Sequence, residues 1–574
     1  MPRANFTLWT NGHMQAGLEP MAVNEPAAAA ADTAWPPRWQ RIAGEALPAM
    51  LPELPALRSG FKVSSPWGVV LLLTLLAGAL RFLDIGGETF WKNELFSVYW
   101  VKNPFEFLLT KGLITETNPP LYFVLLKLWT GVFGSSEAAV RSLSTLASTA
   151  SIPLAYLLGL ELGGVAVGLV GATLLAISPV QLYFAHEARV YAFLPLFTLV
   201  TMLGLCRFLR TPDTRGFMPD RRFANSLDIY ALGAIALLYS HASSVLVLAA
   251  LGLTTLLYFA EIRAPRSQVL AFLFANVIVA LLASPAIMAL AMQAKSPNIE
   301  WMPPLSLAGL MAVLHCLMVA PVVRFDVTGT AREVLAWTEL GMAVAALAML
   351  SLAARRRFRD RLSYALLVLF PLLFVMLLCA VSMVRPILIP RLAVWLVVPV
   401  MLVAAVAFTQ SKAPRLRLLA IVLTAGCILL GLSDTSFAPA RHNPDWRGFV
   451  ADARAAGIAD DAVLVAGPHA GPLGILYYGG PAIAEHLRQW RPPPGHQETN
   501  AEWLERTTSG ARPISTAQIG DAIRAGRPVS LFLDDDDEPL IRDLRTQLPA
   551  LATATRRDYA ALIVFTWPGA AHTP

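Results

Sequence analysis

Residues 355–383 read RRRFRDRLSYALLVLFPLLFVMLLCAVSM, a basic cluster followed from residue 362 by a predominantly apolar run. A helix needs about 20 apolar residues to cross the hydrocarbon core of a bilayer, which is about 30 Å thick. The run over 362–383 is long enough, and arginines beside such a run are typical of a loop on the cytoplasmic side of the membrane. This stretch therefore predicts a membrane-spanning helix.

The same alternation of apolar runs and basic loops extends over most of the chain. Of its 574 residues, 56% are hydrophobic and only 15% are charged, whereas a soluble domain is about 25% charged. Residues 63–435 are therefore predicted to form an all-α polytopic membrane protein. We expect eleven spans, at about 66–84, 138–160, 165–182, 190–207, 227–241, 243–261, 268–291, 333–354, 362–383, 392–410 and 418–434.

Positive charge predicts the orientation of these spans. Four loops are rich in Lys and Arg, at 207–222, 263–266, 355–361 and 412–417, and such loops lie in the cytoplasm. A twelfth apolar stretch, 119–133, is short and amphipathic. All four basic loops fall on one side only if this stretch lies flat on the membrane surface. The N terminus is then cytoplasmic, and everything after residue 435 is extracytoplasmic.

Other features of the sequence exclude several classes of protein. The net charge of +6 does not indicate nucleic-acid binding, because the arginines lie in the short loops between spans. The four cysteines lie in apolar stretches without CxxC spacing, which favours buried thiols over metal ligands or disulfides. A transporter is disfavoured because the chain shows no inverted repeat. Residues 1–62 lack a signal peptide and are predicted to be a disordered cytoplasmic tail.

The C-terminal segment, 436–574, has a different pattern. Strand-like runs at 462–465, 529–533 and 560–566 alternate with candidate helices at 445–456 and 519–525. This alternation predicts a small soluble α/β domain on the extracytoplasmic side. The acidic run at 534–537 follows a strand and is interpreted as a solvated loop, since it lacks the spacing of an EF-hand calcium site.

Polar residues cluster on the predicted outer face, in loops 85–137, 183–190 and 292–332 and in the turn 384–391. Ionisable groups near a membrane are costly and therefore functional candidates. The arginine fork suits phosphate, and a carboxylate suits proton transfer or metal binding. Structural alternatives remain open: an Arg189–Glu187 ion pair, Glu94 at a helix start and His241 at a helix end. The candidates are Glu94, Glu187, His186, His241, Arg189 and Arg391.

Seven short motifs, in this order, resemble the GT-C superfamily of glycosyltransferases. The resemblance covers roughly 66–410, and within the superfamily the motifs look like those of bacterial relatives of the dolichyl-phosphate-mannose protein mannosyltransferases and of the aminoarabinose lipid A transferase. Each motif alone is weak evidence, whereas the ordered set is strong. The motifs are WKNELFS (91–97), NPPLY (118–122), SP with EARVY (178–179 and 187–191), SH (240–241), WMPP (301–304), PILIPR (386–391) and PDWR (444–447).

The resemblance implies an enzyme of the plasma membrane, here a bacterial inner membrane. Such enzymes transfer a monosaccharide from a polyprenyl-phosphate carrier to an extracytoplasmic lipid, glycan or protein acceptor. It implies catalytic roles for Glu94, Asn93 and Glu187. It implies binding of substrate or phosphate by Arg189, Tyr191, Arg391, Asn118, Tyr122 and Trp301. Some members use a divalent metal, for which His186 and His241 are the candidate ligands.

The sequence departs from the family pattern at the residue thought to activate the acceptor. The family has Asp where this chain has Asn93, and it has His where this chain has Asn118. An amide cannot accept a proton at neutral pH. Three explanations remain: Glu94 is the base, Glu187 is the base, or the protein binds lipid-linked sugar without transferring it. We expect a retained activity, with Glu94 the preferred base.

Overall fold

The computed structural model describes residues 65–116, 118–211, 221–293, 302–319, 329–355, 357–435, 443–456, 460–467, 472–480, 483, 485–490, 511–534, 538–559 and 562–569. The predicted tail 1–62 and the candidate Trp301 lie outside these residues. The described helices and strands all belong to one compact unit, Ser59–Pro574.

Helices dominate the described part of 65–435. They are α1 (Pro66–Phe82), α2 (Lys92–Trp100), α3 (Phe105–Leu109), α4 (Lys111–Thr115), α5 (Leu121–Phe133), α6 (Glu137–Gly163), α7 (Val165–Ala176), α8 (Pro179–Ala185), α9 (Phe193–Arg210), α10 (Arg221–Leu238), α11 (Ser244–Ile262), α12 (Arg266–Leu282), α13 (Ser284–Gln293), α14 (Leu307–Met318), α15 (Gly329–Ala354), α16 (Arg361–Val384), α17 (Val397–Gln410) and α18 (Pro414–Thr435). Short 3-10 turns, Val190–Ala192 and Pro390–Leu396, lead into α9 and α17.

The chain is a multi-pass membrane protein. In the described part of the chain, seven helices are long and apolar enough to cross a membrane. The number rises to nine if each of two bent pairs, α7 with α8 and α12 with α13, is one span. Each of the eleven predicted spans overlaps a helix, but α1 and the apolar part of α10 are shorter than the others. Eleven spans therefore remain a prediction, as does the flat placement of α5.

The described residues after 443 form a mixed sheet with helices. The elements are α19 (Trp446–Ala456), β1 (Val463–Ala466), α20 (Pro472–Gly479), β2 (Leu487–Trp490), β3 (Arg512–Ile514), α21 (Thr516–Arg524), β4 (Val529–Asp534), α22 (Glu538–Gln547), β5 (Thr555–Tyr559) and β6 (Leu562–Trp567). The strand order is β3-β2-β1-β4-β6-β5. Strands β1 to β4 are parallel, and β6 is antiparallel to β4 and to β5. All four residues of β1 are buried, because apolar residues cover both faces of a central parallel strand.

Helix α6 is the scaffold for the polar face. It packs closely on α7, because a side chain on Gly159 would meet the Cα atom of Gly168 at 2.7 Å. The next helix breaks at Ser178-Pro179, where α7 and α8 bend by 53°. A break leaves backbone carbonyls without helical partners, which is costly in a membrane unless other groups bind them. Arg81 on α1 supplies those partners, because it donates to the carbonyls of Leu175 and Ala176 at 3.2 and 2.8 Å.

Candidate functional site

Three hydroxyls on α6 hold the chain from the break to the polar loop after α8. Ser148 Oγ donates to the carbonyl of Gln181 at 3.2 Å, and Thr145 Oγ1 donates to that of Ala185 at 2.8 Å. Ser144 Oγ donates to the carbonyl of Arg189 at 3.1 Å. All three hydroxyl-bearing residues are buried. The segment 181–189 is thus fixed along its length to one helix, which gives Glu187 and Arg189 defined positions.

Glu94 lies in the first turn of α2 and is only 1% exposed. Its two oxygens accept from Arg141 on α6, Oε1 from Nε at 2.8 Å and Oε2 from Nη2 at 2.7 Å. Oε1 also accepts from the backbone N–H of Ala188 at 2.9 Å, and Oε2 from that of Trp91 at 3.3 Å. A carboxylate bound in this way holds the first outer loop to the second.

Glu187 has a different environment. It is 6% exposed, and its Oε1 atom has no hydrogen-bond partner among the described residues. Burial raises the pKa of this carboxyl to about 7, against the opposing charge of Arg391 and with a further rise from the negative charge of Glu94. Near neutral pH the Glu187 carboxyl therefore exchanges between its neutral and ionised forms.

Arg189 has one buried N–H group that makes no hydrogen bond to the described residues. Its Nη1 atom donates to Ser97 Oγ at 3.4 Å, and its Nη2 atom lies 3.9 Å from Glu116 Oε1. Its Nε atom has no hydrogen-bond partner among the described residues. The guanidinium carbon lies 6.0 Å from the centre of the Phe96 ring. The acidic neighbour of Arg189 is thus Glu116 rather than Glu187, and the contact is long enough for an anion to compete for the guanidinium.

Arg391, Tyr191 and His241 meet on the same side of the site. Arg391 Nη1 donates to the Tyr191 hydroxyl at 3.5 Å. The rings of Tyr191 and His241 have centres 5.9 Å apart. These residues come from the turn before α17, the turn before α9 and the loop before α11, so three segments that are distant in the sequence meet here.

Asn118 and Tyr122 border this cluster. Asn118 is buried and donates from Nδ2 to Glu116 Oε1 at 3.0 Å. Tyr122 is buried with its ring 5.8 Å from that of Phe193. Asn118 thus orients the carboxylate beside Arg189 and does not bind the unpaired Glu187 oxygen or Arg189 nitrogen.

Asn93 stands half-buried on α2, one residue before Glu94. Its backbone carbonyl accepts from Ser97 Oγ at 3.1 Å. Successive helical residues point about 100° apart, so Asn93 and Glu94 cannot occupy the same place. While Glu94 binds Arg141, its carboxylate does not replace the one missing at position 93.

The two histidines differ as candidate metal ligands, because the ring of His241 is less suited to this role than that of His186. His241 Nδ1 accepts the backbone N–H of Ser243 at 3.1 Å, so the neutral ring carries its proton on Nε2. His186 Nε2 lies 2.7 Å from the carbonyl of Arg81 and therefore donates to it. Burial lowers the pKa of His186 and keeps it neutral. No group of three His, Cys, Asp or Glu side chains suited to a metal occurs within the described residues. Neither histidine therefore belongs to a group of three such side chains among the described residues, although His186 keeps a lone pair on Nδ1.

Sequence reasoning missed two buried arginines and one carboxylate. They are Arg141, Glu116 and Arg81, whose guanidinium binds Ser148 Oγ at 2.9 Å and the carbonyls of Ala176 and Leu175 at 2.8 and 3.2 Å. Arg81 and Arg141 lie at the predicted outer ends of two spans. An arginine there opposes the charge bias, and this signal could have identified both residues.

The chain was compared with protein-family models, with curated protein sequences and with solved structures. Residues 117–289 match the family model described as dolichyl-phosphate-mannose-protein mannosyltransferase. No curated protein sequence matches the chain. The apo structure of ArnT from Cupriavidus metallidurans is 12% identical, with a TM-score of 0.53, and the match covers 87% of this chain and 98% of that one. The same protein bound to undecaprenyl phosphate is 13% identical, with a TM-score of 0.54 and the same coverage. AglB from Archaeoglobus fulgidus, in complex with an inhibitory peptide and a dolichol-phosphate, is 12% identical, with a TM-score of 0.46 and coverage of 90% of this chain and 75% of that one.

The chain has the GT-C fold. The resemblance predicted from its motifs is confirmed. The family match contains Glu187, Arg189 and His241, whereas Glu94 and Arg391 lie outside it.

Proposed function

We propose that this GT-C protein transfers a monosaccharide from a polyprenyl-phosphate carrier to an acceptor hydroxyl. One observation carries the proposal. A buried carboxyl oxygen of Glu187 and a buried guanidinium nitrogen of Arg189, two residues apart, both lack a partner among the described residues. Buried polar groups without partners are costly, so such a pair suits a polar ligand that supplies both.

The reaction balances with these groups. The acceptor oxygen attacks the anomeric carbon of the sugar, and the new C–O bond forms as the bond to the phosphate oxygen breaks. The electron pair of the broken bond leaves on polyprenyl phosphate. The proton of the acceptor hydroxyl passes to a carboxylate. Because attack and departure occur on opposite faces, the anomeric centre is inverted.

We assign the proton acceptor to Glu187 instead of Glu94. Each oxygen of Glu94 already accepts two hydrogen bonds, from Arg141 and from the backbone N–H of Ala188 or Trp91, so neither is open to an acceptor hydroxyl. Glu187 has an open oxygen and a pKa raised by burial to about 7, which is near the optimum for a general base at neutral pH. Glu94 is then a positioning residue for the segment that carries Glu187.

Arg189 and Arg391 neutralise the departing phosphate. Both positive charges act on the Glu187 carboxyl, which places them within electrostatic range of the proposed reaction. Tyr191 orients Arg391 through its hydroxyl, and Asn118 orients the carboxylate beside Arg189. Preorganised positive charge stabilises the negative charge that develops on the leaving group.

The undecaprenyl phosphate in the ArnT structure supports a polyprenyl-phosphate donor here. By the charge rule the site lies on the extracytoplasmic face of a bacterial inner membrane, with the N terminus in the cytoplasm. The sheet after residue 443 then forms an extracytoplasmic domain beside the site. A lipid, a glycan or a protein of the cell envelope is the acceptor.

A second candidate function is binding of the lipid-linked sugar without transfer, as in an assembly subunit. Asn93 favours it, because the residue thought to activate the acceptor in the family is an amide here. Both functions use Arg189 and Arg391, but only transfer needs Glu187 to accept a proton.

Purified protein in lipid nanodiscs, given radiolabelled polyprenyl-phosphate sugar and a membrane extract, distinguishes the two functions. We expect transfer by the wild type and a loss of about 10²–10⁴-fold in kcat for Glu187→Gln, the range that a general base contributes. Glu106→Gln, an exposed carboxylate on α3, is the matched control and keeps its rate. Donor binding without transfer by the wild type would favour the assembly subunit.

A further inference from the structure

Two arginines bind the carbonyl oxygens of five consecutive residues, 85–89, at the start of the first outer loop. Arg141 on α6 donates to the carbonyls of residues 85, 88 and 89 at 3.1, 2.8 and 3.0 Å. Arg447 on α19 donates to those of residues 86 and 87 at 3.0 and 2.9 Å. One guanidinium belongs to the membrane part and the other to the C-terminal sheet region. The loop backbone is therefore clamped from both sides.

The C-terminal region adds further bonds at the same place. Asn443 Nδ2 donates to the carbonyl of Thr89 at 2.8 Å, an oxygen that Arg141 also binds. The Tyr478 hydroxyl accepts the backbone N–H of Phe90 at 2.7 Å and donates to Glu137 Oε1 at 2.9 Å. These bonds leave residues 85–90 little freedom to move independently of the sheet.

Glu137 ties the C-terminal region to α6 directly. Its carboxylate binds both Tyr478 and Arg447. Glu137 is one helical turn before Arg141, so the two side chains lie on the same face of α6. Arg141 in turn holds Glu94, and Glu94 Oε1 accepts the backbone N–H of Ala188 at 2.9 Å, next to Glu187. An unbroken series of contacts thus joins the sheet region to the segment that carries Glu187 and Arg189.

We propose that Tyr478 and Arg447 are positioning residues, through which the C-terminal region fixes the placement of Glu187 and Arg189. The catalytic consequence rests on the proposed function, whereas the mechanical coupling does not. Neither residue touches the open oxygen or the open nitrogen of the site. The competing view is that the C-terminal region only covers the site or holds the acceptor.

Two variants of the full chain separate these views. Tyr478→Phe removes one hydroxyl and keeps the ring, so the backbone N–H of Phe90 and Glu137 Oε1 each lose a partner. Arg447→Ala removes a side chain that is 45% exposed, which makes misfolding an improbable cause of any effect. Arg557→Ala is the matched control, because Arg557 forms an exposed pair with Asp452 in the same sheet region.

Hydrogen–deuterium exchange in nanodiscs, without donor, measures the coupling independently of activity. We expect the Ala188 amide to exchange at least about 10-fold faster in Tyr478→Phe and Arg447→Ala, as local opening becomes easier. The Arg557→Ala protein exchanges like the wild type. Unchanged exchange at Ala188 in both variants would overturn the proposal, whatever the enzyme does.

Kinetics then tests the catalytic consequence. Misplacement of a general base raises the energy of the transition state more than that of the bound donor, so we expect kcat to fall about 10-fold or more while KM for the donor changes less than about 2-fold. A rise in KM for the acceptor with kcat unchanged would instead support a role in holding the acceptor. A wild type that transfers no sugar contradicts the proposed function, but the exchange result still decides the coupling.

Discussion

The Glu94–Arg141 pair combines full burial with complete bonding. Arg141 uses all three of its nitrogens, on the Glu94 carboxylate and on three backbone carbonyls, and both side chains are almost inaccessible. A buried ion pair adds modest net stability, yet the loss of one partner leaves an uncompensated buried charge. The pair is thus a point where a single substitution has a large effect.

Arg141→Leu is expected to destabilise the protein by about 3–5 kcal/mol, the cost of leaving a buried carboxylate without its partner. The fall in thermal unfolding temperature in detergent measures this effect. The double variant Arg141→Leu with Glu94→Leu removes both charges and should recover part of the loss. If the double variant is less stable than Arg141→Leu alone, the carboxylate is not the source of the cost.

The raised pKa of Glu187 predicts a pH dependence. Burial raises this pKa to about 7, so the carboxyl is neutral below that pH and cannot accept a proton. We expect the transfer rate to increase as pH rises through about 7 and to level off above it. Residual transfer by Glu187→Gln should lack this rise. A wild-type rate that does not change over roughly two pH units on either side of this pKa would contradict the assignment.

The same pKa makes an opposite prediction for stability. A folded-state pKa above the ordinary value of 4.5 means that the folded protein holds this proton more tightly than the unfolded chain. The stabilisation is fully present below about pH 4.5 and is lost as pH rises to about 7. The wild type should therefore lose stability relative to Glu187→Gln over that range. Equal pH profiles of the two unfolding temperatures would show that the pKa is not raised.

Helix α6 supplies hydroxyls to the segment that follows the break between α7 and α8. Thr145 and Thr149 form a natural comparison, since they are one turn apart. Thr145 Oγ1 donates to the carbonyl of Ala185 on α8, whereas Thr149 Oγ1 donates only to a carbonyl of its own helix. The first bond joins two elements and the second joins none.

Thr145→Val should therefore destabilise the protein by about 1–3 kcal/mol, because the Ala185 carbonyl is left buried and unpaired. Thr149→Val keeps the helical bond of its carbonyl partner and should cost less than about 1 kcal/mol. Unfolding temperatures of the two variants in the same detergent make the comparison. Equal losses would mean that the interhelical bond adds nothing.

The sequence predicts the helices better than it predicts which side chains contact one another. Apolar length and charge identify the helices of all eleven predicted spans, because the bilayer imposes both signals. The break at Ser178-Pro179 and the apolar helix α14 within loop 292–332 were not predicted, although the proline and the apolar run from residue 305 are local signals for them. The contact of Arg391 with Tyr191 joins two turns that the charge rule predicts on the same side of the membrane.

The hydrogen bonds at the site join residues that are far apart in the sequence. Arg141 lies 47 residues from Glu94 and within an apolar helix, so no local pattern links them. For this reason the preferred base changes from Glu94 to Glu187 once the contacts of each carboxylate are known. Glu94 and Glu187 differ in their hydrogen-bond partners, and this difference arises only when the helices pack.

At the scale of the whole molecule, the charge rule assigns a side to every loop. Cysteines introduced at exposed positions in a cysteine-free background test it with a membrane-impermeant maleimide. We expect Glu106→Cys and Asp521→Cys to react in intact cells, since the first loop and the sheet region are predicted to be extracytoplasmic. Arg359→Cys, in the basic loop before α16, should react only after the cells are lysed. Labelling of Arg359→Cys in intact cells would reverse the orientation.

The burial of Arg81 has a consequence for how the chain is made. Its guanidinium is fully buried and is bound by Ser148 on α6 and by the carbonyls of Leu175 and Ala176 at the end of α7. When Arg81 is synthesised, its partners have not yet been made, because they lie 67 to 95 residues later in the chain. A lone arginine is costly in lipid. Because Arg81 is in the last turn of α1, it can reach the membrane interface until Ser148 and the end of α7 are made, so we expect the first three predicted spans to pack together only after all of them have been synthesised.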